Sequence, residues 1–334
     1  MTTMPPAGFP SLLQRFFTDR LLRQLSASPH TVASYRDAFR LLLCFAAERL
    51  GRNPSDLRVD ELDEPFLSSF LDYLEHERGS CIRTRNTRLA ALHAFFRYVA
   101  LTEPAYALHC QRVLAIPVKR YVRTPLEFLV EAEVQALVEA PDPTTWIGRR
   151  DRTLLLLAVQ TGLRNSEITA LRRTDVVLGT GSHVRCQGKG RKMRCTPLRP
   201  DVVAVLRAWL TELKEHTSDR LFPSSRGGPL SADALQRLVA KHANAAQRRC
   251  LSLVGKKVTP HTLRHAAAME LLRRGVDHTV IALWLGHEST ETTEIYLHAD
   301  MRLKEQALTH ATPSGLAPGR YKPQDHVLAF LESL

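Results

Sequence analysis

A segment of nine residues that lacks both helical and strand periodicity divides the chain into two parts. Residues 117–125 (PVKRYVRTP) hold two prolines, one lysine and two arginines. Proline removes a backbone hydrogen-bond donor and restricts the residue before it, so this composition favours a connecting segment over a helix or strand. We therefore predict a basic linker between two domains, and 334 residues are sufficient for two separate hydrophobic cores.

Before the linker, apolar residues recur at the spacing of α-helices. Ser28, followed by a proline, is typical of a helix start, and Gly51 is typical of a helix end. A second helical pattern covers residues 66–78, and a third follows it. We predict an all-helical domain of four or five helices over 11–116, preceded by an N-terminal tail over 1–10.

After the linker, the pattern is mixed. Helical spacing is found over residues 131–139, 149–160, 201–215, 232–249, 260–274, 277–285 and 290–297. Strand-like segments are found at 176–178, 183–187 and 193–198, and the last two flank a turn at 188–192. The predicted fold class is mainly α with a small antiparallel β-sheet. The sheet belongs to an α+β domain over 126–310, and a C-terminal tail follows over 311–334.

Composition narrows the function classes. Lysine and arginine number 46 against 34 aspartates and glutamates, a net charge of +12 that indicates an anionic partner, with nucleic acid favoured. No apolar run reaches the roughly 18 residues of a membrane span, and the N-terminus does not read as a secretory signal. The six cysteines lack C-x-x-C spacing, which argues against a zinc ribbon and fits reduced thiols in the cytoplasm.

Two polar groups lie at breaks between predicted elements. Arg164 follows Gly162 on a turn between helices, where its guanidinium can bind a phosphate bidentately and Glu167 is close enough to orient it. Lys189 lies in the Gly188–Lys192 hairpin turn, where a flexible ammonium could protonate a leaving group. Taken singly, an arginine near a helix cap and a basic hairpin turn are ordinary surface features.

Two further groups lie near the C-terminus. His261 and Arg264 follow a helix-starting proline and share one helix face. His261 and His265 have the i, i+4 spacing of metal ligands, but the glutamate of H-E-x-x-H is missing and no third ligand presents itself, so no metal is predicted. The last group holds His287 and Tyr296, and a half-buried helix tyrosine is the ordinary interpretation of the latter.

In chain order these groups resemble the active-site residues of the tyrosine recombinases, or phage integrase family, which includes the Xer proteins, Cre and lambda integrase. The six residues are Arg164, Lys189, His261, Arg264, His287 and Tyr296. The lysine lies 25 residues after the first arginine, the second arginine three after its histidine, and the tyrosine nine after the last histidine. The resemblance covers residues 125–300, and 11–116 resemble the family's helical, SAM-like core-binding domain more loosely.

The resemblance implies a site-specific recombinase acting on DNA without a cofactor. Tyr296 would attack a phosphodiester, giving a 3′-phosphotyrosyl link and a free 5′-hydroxyl, and the bond energy is conserved for rejoining. Arg164 and Arg264 would bind the non-bridging oxygens of the phosphate.

The remaining residues would handle protons and support. His287 would donate a hydrogen bond, His261 would accept the proton of Tyr296, and Lys189 would protonate the departing 5′-oxygen. Glu167 would support the arginine and the fold rather than react.

The resemblance also implies how DNA is held. The two domains would close around double-stranded DNA with 117–125 as the hinge. The predicted DNA-contacting residues are Arg83, Arg85, Arg88, Lys119 and Arg120. A homotetramer on two DNA sites is expected, with or without a partner recombinase. The apolar end of the 311–334 tail fits either a helix exchanged between protomers or one folded back on its own domain.

Two alternatives stay open at this point. A type IB topoisomerase uses similar chemistry but relaxes supercoils as a monomer, and a non-catalytic regulator would bind DNA without cleaving it. The separate helical domain and the complete set of six residues favour the recombinase, with integration or excision of a mobile element as its predicted task.

Overall fold

The computed structural model describes residues 8–121, 128–188 and 193–286, apart from the side chain of Glu215. The chain divides into two compact units, residues 1–123 and 124–334. The predicted helix at 290–297 and the tail at 311–334 lie outside the described residues, as do residues 1–7 of the N-terminal tail.

In the described part of the first unit, all of the regular secondary structure is helical. Five α-helices and one π-helix form it, together with short 3₁₀ turns: α1 (Phe9–Arg15), the π-helix (Phe16–Gln24), α2 (Pro29–Leu50), α3 (Glu64–His76), α4 (Ile82–Thr102) and α5 (Ala107–Leu114). Helix α2 begins and ends as its sequence indicates. The Ser28 hydroxyl accepts a hydrogen bond from the Thr31 backbone N–H, and Gly51 adopts the left-handed conformation that ends the helix.

Aromatic side chains form the centre of this unit's core. Phe16, Phe39 and Phe95 meet edge to face, with ring centroids 5.3–6.4 Å apart. The π-helix was not predicted, because the apolar pattern was interpreted with a period of 3.6. Phe16 and Leu21 are five residues apart and both buried, a spacing that matches the i→i+5 hydrogen bonds of a π-helix.

The end of the predicted linker nearest the first unit is fastened to that unit. The Asn86 side chain donates to the Lys119 carbonyl at 2.8 Å, and its oxygen accepts from the Lys119 N–H at 3.2 Å. Arg85 Nη1 donates to the Pro117 carbonyl at 2.9 Å. Residues 117–119 are therefore held along the first turns of α4.

The second unit combines seven α-helices in its described part with a three-stranded sheet. The helices are α6 (Glu131–Glu139), α7 (Trp146–Thr161), α8 (Asn165–Ala170), α9 (Pro200–Glu212), α10 (Ala232–Ala246), α11 (Pro260–Arg273) and α12 (His278–Leu285). The strands are β1 (Val176–Val177), β2 (His183–Gln187) and β3 (Met193–Pro197), antiparallel and in chain order. The predicted fold class is confirmed. Helix α7 starts three residues earlier than predicted because the Thr145 hydroxyl caps it at the Gly148 N–H.

The register of the hairpin decides which side chains face the core. Cys186 on β2 pairs with Arg194 on β3, and Arg185 pairs with Cys195. Residues directly opposite each other share a face of the sheet, so Arg194 lies on the same face as the buried Cys186. Cys195 is exposed on the other face, so only one of these two cysteines is buried.

Charged groups inside the second unit are paired. Asp151 on α7 accepts from Arg150 at 2.7 Å through one oxygen and lies 2.8 Å from His242 Nε2 through the other. A buried carboxylate without such partners would be strongly destabilising.

Among the described helices, none is long and apolar enough to cross a membrane.

Candidate active site

Three chain segments meet where α7 ends. Gly162 ends α7 in the left-handed conformation (φ 64°). A Cβ atom at this position would lie 2.5 Å from Leu285 Cδ2 and 3.2 Å from Ala267 Cβ. Glycine is therefore required here both for the backbone conformation and for the close approach of α11 and α12.

Arg264 lies in the first turns of α11 and points into this junction. Its Nη1 donates to the Gly162 carbonyl at 2.7 Å and its Nη2 to the Leu285 carbonyl at 2.8 Å. The residue is buried. Helix α11 begins where the sequence predicts, with proline at its first position and the Thr259 side chain capping the Thr262 N–H. The guanidinium is thus fixed in direction by two carbonyl groups that carry no net charge.

Arg164 reaches the same junction from the loop after α7. Its Nη2 donates to the Gly286 carbonyl at 2.8 Å and its Nη1 to Glu167 Oε1 at 3.0 Å. Leu285 and Gly286 are consecutive, so the end of α12 anchors both guanidinium groups through neighbouring carbonyls. The Arg164 side chain keeps 31% of its surface exposed. The two arginines predicted to act on one phosphate are therefore brought together.

Glu167 is a buried carboxylate that binds two arginines. Besides Arg164, it accepts two hydrogen bonds from Arg194, at 2.8 Å and 2.7 Å. Burial alone would raise the pKa of this carboxyl, but the hydrogen bonds from Arg194 and from the Arg164 N–H, with the charges of both guanidinium groups, hold its pKa below the usual range. Glu167 is therefore ionised at neutral pH, and it lies in hydrogen-bond contact with Arg164, near which its spacing places it.

Arg194 was missed by the sequence analysis. Its position in β3 shows no motif, and its contact with Glu167 joins residues that are 27 positions apart. The available signal was strand alternation, because Arg194 shares its face with Cys186 and so points inward.

His261 stands at the exposed start of α11, and the His265 ring lies behind it. Their ring centroids are 4.2 Å apart in an edge-to-face arrangement. Burial, with the nearby charges of His261 and Arg264, lowers the pKa of His265 to about 4. His265 is thus neutral at physiological pH. In the described part of the chain, no three histidine, cysteine or acidic side chains are grouped to hold a metal ion.

The remaining three predicted site residues, Lys189, His287 and Tyr296, lie outside the described residues. The described residue immediately before His287 is Gly286, whose carbonyl binds Arg164.

The predicted DNA-contacting residues of the first unit differ in their surroundings. Arg83 and Arg120 are exposed, whereas Arg88 is half-buried and donates to the Ser80 hydroxyl at 2.8 Å. Lys119 is half-buried and pairs with Glu75 at 2.7 Å.

The prediction that Arg85 contacts DNA is not supported by its position. It is 4% exposed, with its Nε 3.5 Å from Glu75 and its Nη1 on the Pro117 carbonyl. A guanidinium enclosed in this way holds the 117–119 segment, and it is not available to a phosphate at the surface.

Comparison with known proteins shows the family of the chain. Residues 127–302 match the model of the phage integrase family, and residues 13–102 match that of the phage integrase N-terminal SAM-like domain. The chain belongs to the phage integrase family. A putative integrase/recombinase of Sinorhizobium fredii, y4rC, is 53% identical over 328 residues, 98% of this chain and 99% of that protein. The tyrosine recombinase XerD of Ralstonia nicotianae is 33% identical, over 89% of this chain and 92% of its own length.

Solved structures of a site-specific recombinase and of a transposon integrase share the fold. The XerH recombinase bound to palindromic difH substrate has a TM-score of 0.68 and 24% identity, over 85% of this chain and 81% of its own. The Tn1549 transposon integrase in complex with transposon right end DNA has a TM-score of 0.66 and 15% identity, over 89% and 99%. This chain is thus a tyrosine-type site-specific recombinase with a SAM-like domain before its catalytic domain, and the resemblance drawn from six residues is confirmed at the level of the family.

Proposed function

We propose that this tyrosine recombinase cleaves and rejoins double-stranded DNA at specific sites through a 3′-phosphotyrosyl intermediate on Tyr296. The observation that carries the proposal is the pair of guanidinium groups, Arg164 and Arg264, anchored to the consecutive carbonyls of Leu285 and Gly286. Two fixed positive charges at one junction suit a phosphate that gains negative charge as it becomes pentacoordinate.

The anchoring fixes the direction of both guanidinium groups. Carbonyl groups orient a guanidinium without neutralising it, whereas a carboxylate partner would offset its charge. Glu167 is the acidic partner of Arg164, and it is shared with Arg194. The three groups together carry a net charge of +1, and Arg264 adds to it.

Proton transfers complete the reaction that we propose. A phenol with a pKa of about 10 is a weak nucleophile at neutral pH, and neighbouring arginines favour its ionised form. His261 accepts the Tyr296 proton, Lys189 protonates the departing 5′-oxygen, and His287 donates a hydrogen bond to the phosphate. The attack forms one phosphoester bond and breaks another, so rejoining needs no external energy source.

We further propose a homotetramer acting on two DNA sites through a Holliday junction, for integration or excision of a mobile element. The support is the assembly named for a structural neighbour, a lambda integrase tetramer bound to a Holliday junction, and the names integrase and transposon integrase among the similar proteins. The cytoplasm is the proposed location, because all six cysteines are free thiols.

A covalent-trapping assay tests the nucleophile. Wild type and Tyr296→Phe are incubated with nicked duplexes tiled from the DNA flanking the gene, and denaturation-resistant protein–DNA adducts are sought. We expect an adduct with wild type alone. Tyr296→Phe should bind DNA equally well, because the substitution removes only the hydroxyl that attacks the phosphate. An adduct with Tyr296→Phe, or loss of its DNA binding, would contradict the assignment.

The trapped site then tests the class of reaction. Two duplexes carrying it are mixed with the enzyme, and four-way junctions are resolved on a native gel. Junctions that accumulate and resolve to recombinants identify strand exchange. Relaxation of supercoils without junctions would indicate a topoisomerase, and binding without any adduct a non-catalytic regulator.

A further inference from the structure

We infer that Arg194 is a positioning residue that keeps Arg164 available to the DNA phosphate by sharing the Glu167 carboxylate. The inference rests on the proposed function, since it concerns the arginine assigned to the scissile phosphate.

The hydrogen bonds on Glu167 are the first observation. Oε1 accepts Arg194 Nη1 at 2.8 Å and Arg164 Nη1 at 3.0 Å. Oε2 accepts Arg194 Nη2 at 2.7 Å and the Arg164 backbone N–H at 2.7 Å. A carboxylate offers about four acceptor positions, so these four bonds fill it. Arg194 binds both carboxylate oxygens, and the Arg164 side chain is limited to one hydrogen bond with Glu167.

The second observation is the depth of the carboxylate. The Glu167 side chain is 3% exposed, and a buried charge of this kind requires a charged partner. Without Arg194, Arg164 would be its remaining guanidinium partner among the described contacts. A fork-to-fork pair with both carboxylate oxygens is the strongest arrangement open to Arg164. It would draw Nη2 off the Gly286 carbonyl and offset the charge that the phosphate requires.

The third observation is that Arg194 also packs against the Gly286 backbone. A Cβ at Gly286 would lie 2.7 Å from Arg194 Nη1 and 3.2 Å from its Cδ. Gly286 has φ 65° and ends α12, and its carbonyl binds Arg164. Arg194 therefore contacts both groups that hold Arg164, namely Glu167 and Gly286, from the β-hairpin on the other side.

The test must separate positioning from folding. On a normal scissile phosphate, arginine neutralises a charged non-bridging oxygen. A methylphosphonate at the scissile position replaces that oxygen with a neutral methyl group, so cleavage depends less on arginine charge. A variant whose defect passes through Arg164 should lose less activity on the methylphosphonate. A variant whose catalytic domain is merely destabilised should lose the same factor on both substrates.

We would measure single-turnover cleavage of both substrates, DNA affinity and thermal melting for wild type, Arg194→Gln and Arg194→Lys. Arg164→Ala serves as the reference for direct loss. Arg185→Gln is the matched control, because Arg185 lies on the same hairpin, faces away from Glu167 and donates to the Thr174 carbonyl.

On phosphate, Arg194→Gln should cleave about 10²-fold more slowly with DNA affinity unchanged, as a small misplacement of a catalytic group can cost that much. On the methylphosphonate its loss should fall to within about tenfold, and Arg164→Ala should shift in the same direction. Arg194→Lys keeps the charge without the fork and should lose less on phosphate than Arg194→Gln. Arg185→Gln should cleave both substrates at the wild-type rate.

Equal losses for Arg194→Gln on the two substrates would overturn the inference. If Arg194→Gln does not fold, the comparison rests on Arg194→Lys, for which equal losses on both substrates would likewise overturn it. Failure of the proposed function looks different, because wild type itself would then form no Tyr296 adduct on the phosphate substrate.

Discussion

At the scale of single residues, His265 is a buried group whose protonation is opposed by its surroundings. It lies 4.2 Å from His261, ring to ring, and beside Arg264 in a buried position. Histidine in an unfolded chain titrates near pH 6.5, whereas burial, with the charges of His261 and Arg264, lowers the pKa of folded His265 to about 4. The unfolded state therefore binds more protons than the folded state between these two values.

We predict that the catalytic domain loses stability as the pH falls from 6.5 towards 4. The loss attributable to His265 should reach about 3 kcal/mol, from 1.36 kcal/mol for each unit of pKa shift, and it should be absent above pH 6.5. Urea unfolding of wild type and His265→Gln at several pH values measures it. The variant should show a flatter profile in this window, and parallel profiles would contradict the assigned pKa.

The resemblance to the recombinases predicted that Arg164 and Arg264 act on one phosphate, and spacing predicted that Glu167 lies near Arg164. The structure places these three side chains at one junction. Their anchors could not be predicted, since backbone carbonyls at positions 285 and 286 have no signature in sequence. Arg194 was missed for a related reason. Its role depends on the pairing of β2 with β3, and a shift of one residue in that register would have turned it outward.

At the scale of elements, the Asn86 contact changes where a hinge could begin. Residues 117–119 are held against α4 by three hydrogen bonds. Two join the Asn86 side chain to the Lys119 backbone, and one joins Arg85 to the Pro117 carbonyl. We therefore propose that any linker begins after Lys119 rather than at Pro117. Prolines and basic residues indicated a connection, but composition does not reveal which part of it is fastened to a neighbouring helix.

We predict that Asn86→Ala releases this segment. The Lys119 amide should exchange with solvent about five- to tenfold faster, the effect of losing one hydrogen bond of about 1 kcal/mol. Thr87→Ala is the matched control, since Thr87 lies on the same helix and bonds only within it in the described contacts. Hydrogen exchange measured by mass spectrometry gives the Lys119 rate in both variants. An unchanged rate in Asn86→Ala would show that the Asn86 side chain does not hold this segment.

Helices and strands with regular patterns were predicted well, as β2 and α6 illustrate, because each buries one face against a single core. The π-helix was not predicted. It departs from the period of 3.6 where Phe16 packs in the aromatic cluster. That cluster brings together residues from several helices, which a local pattern does not reveal.

At the scale of the whole molecule, the charge of +12 was the first indication of the substrate. Binding to DNA releases condensed counterions, so affinity should fall steeply with salt concentration. The charge alone does not reveal which basic residues contact phosphate. Side-chain exposure reduces the number of candidate phosphate contacts. Arg83 and Arg120 are exposed and stay candidates, whereas Arg85 is buried and does not.

We predict that the double variant Arg83→Ala/Arg120→Ala lowers the slope of log affinity against log salt by about 2, since each phosphate contact contributes about 0.9. Affinity should weaken similarly for specific and unrelated duplexes. Arg52→Ala is the control, because Arg52 is exposed but paired with Glu61 at 2.8 Å. Fluorescence anisotropy titrations across a salt series provide the slopes, and an unaltered slope in the double variant would exclude these two contacts.

The anchoring of both arginines to main-chain carbonyls has a consequence for how this site tolerates mutation. Every amino acid supplies a carbonyl, so an exchange of Leu285 for another apolar residue alters packing and leaves the anchor of Arg264 in place. The neighbouring Gly286 is more restricted, because its φ of 65° is strained for other residues and a Cβ there would lie 2.7 Å from Arg194 Nη1, which Glu167 holds in place. A saturation library across these two codons should therefore retain active variants with several apolar residues at position 285, which is buried, and with glycine alone at position 286.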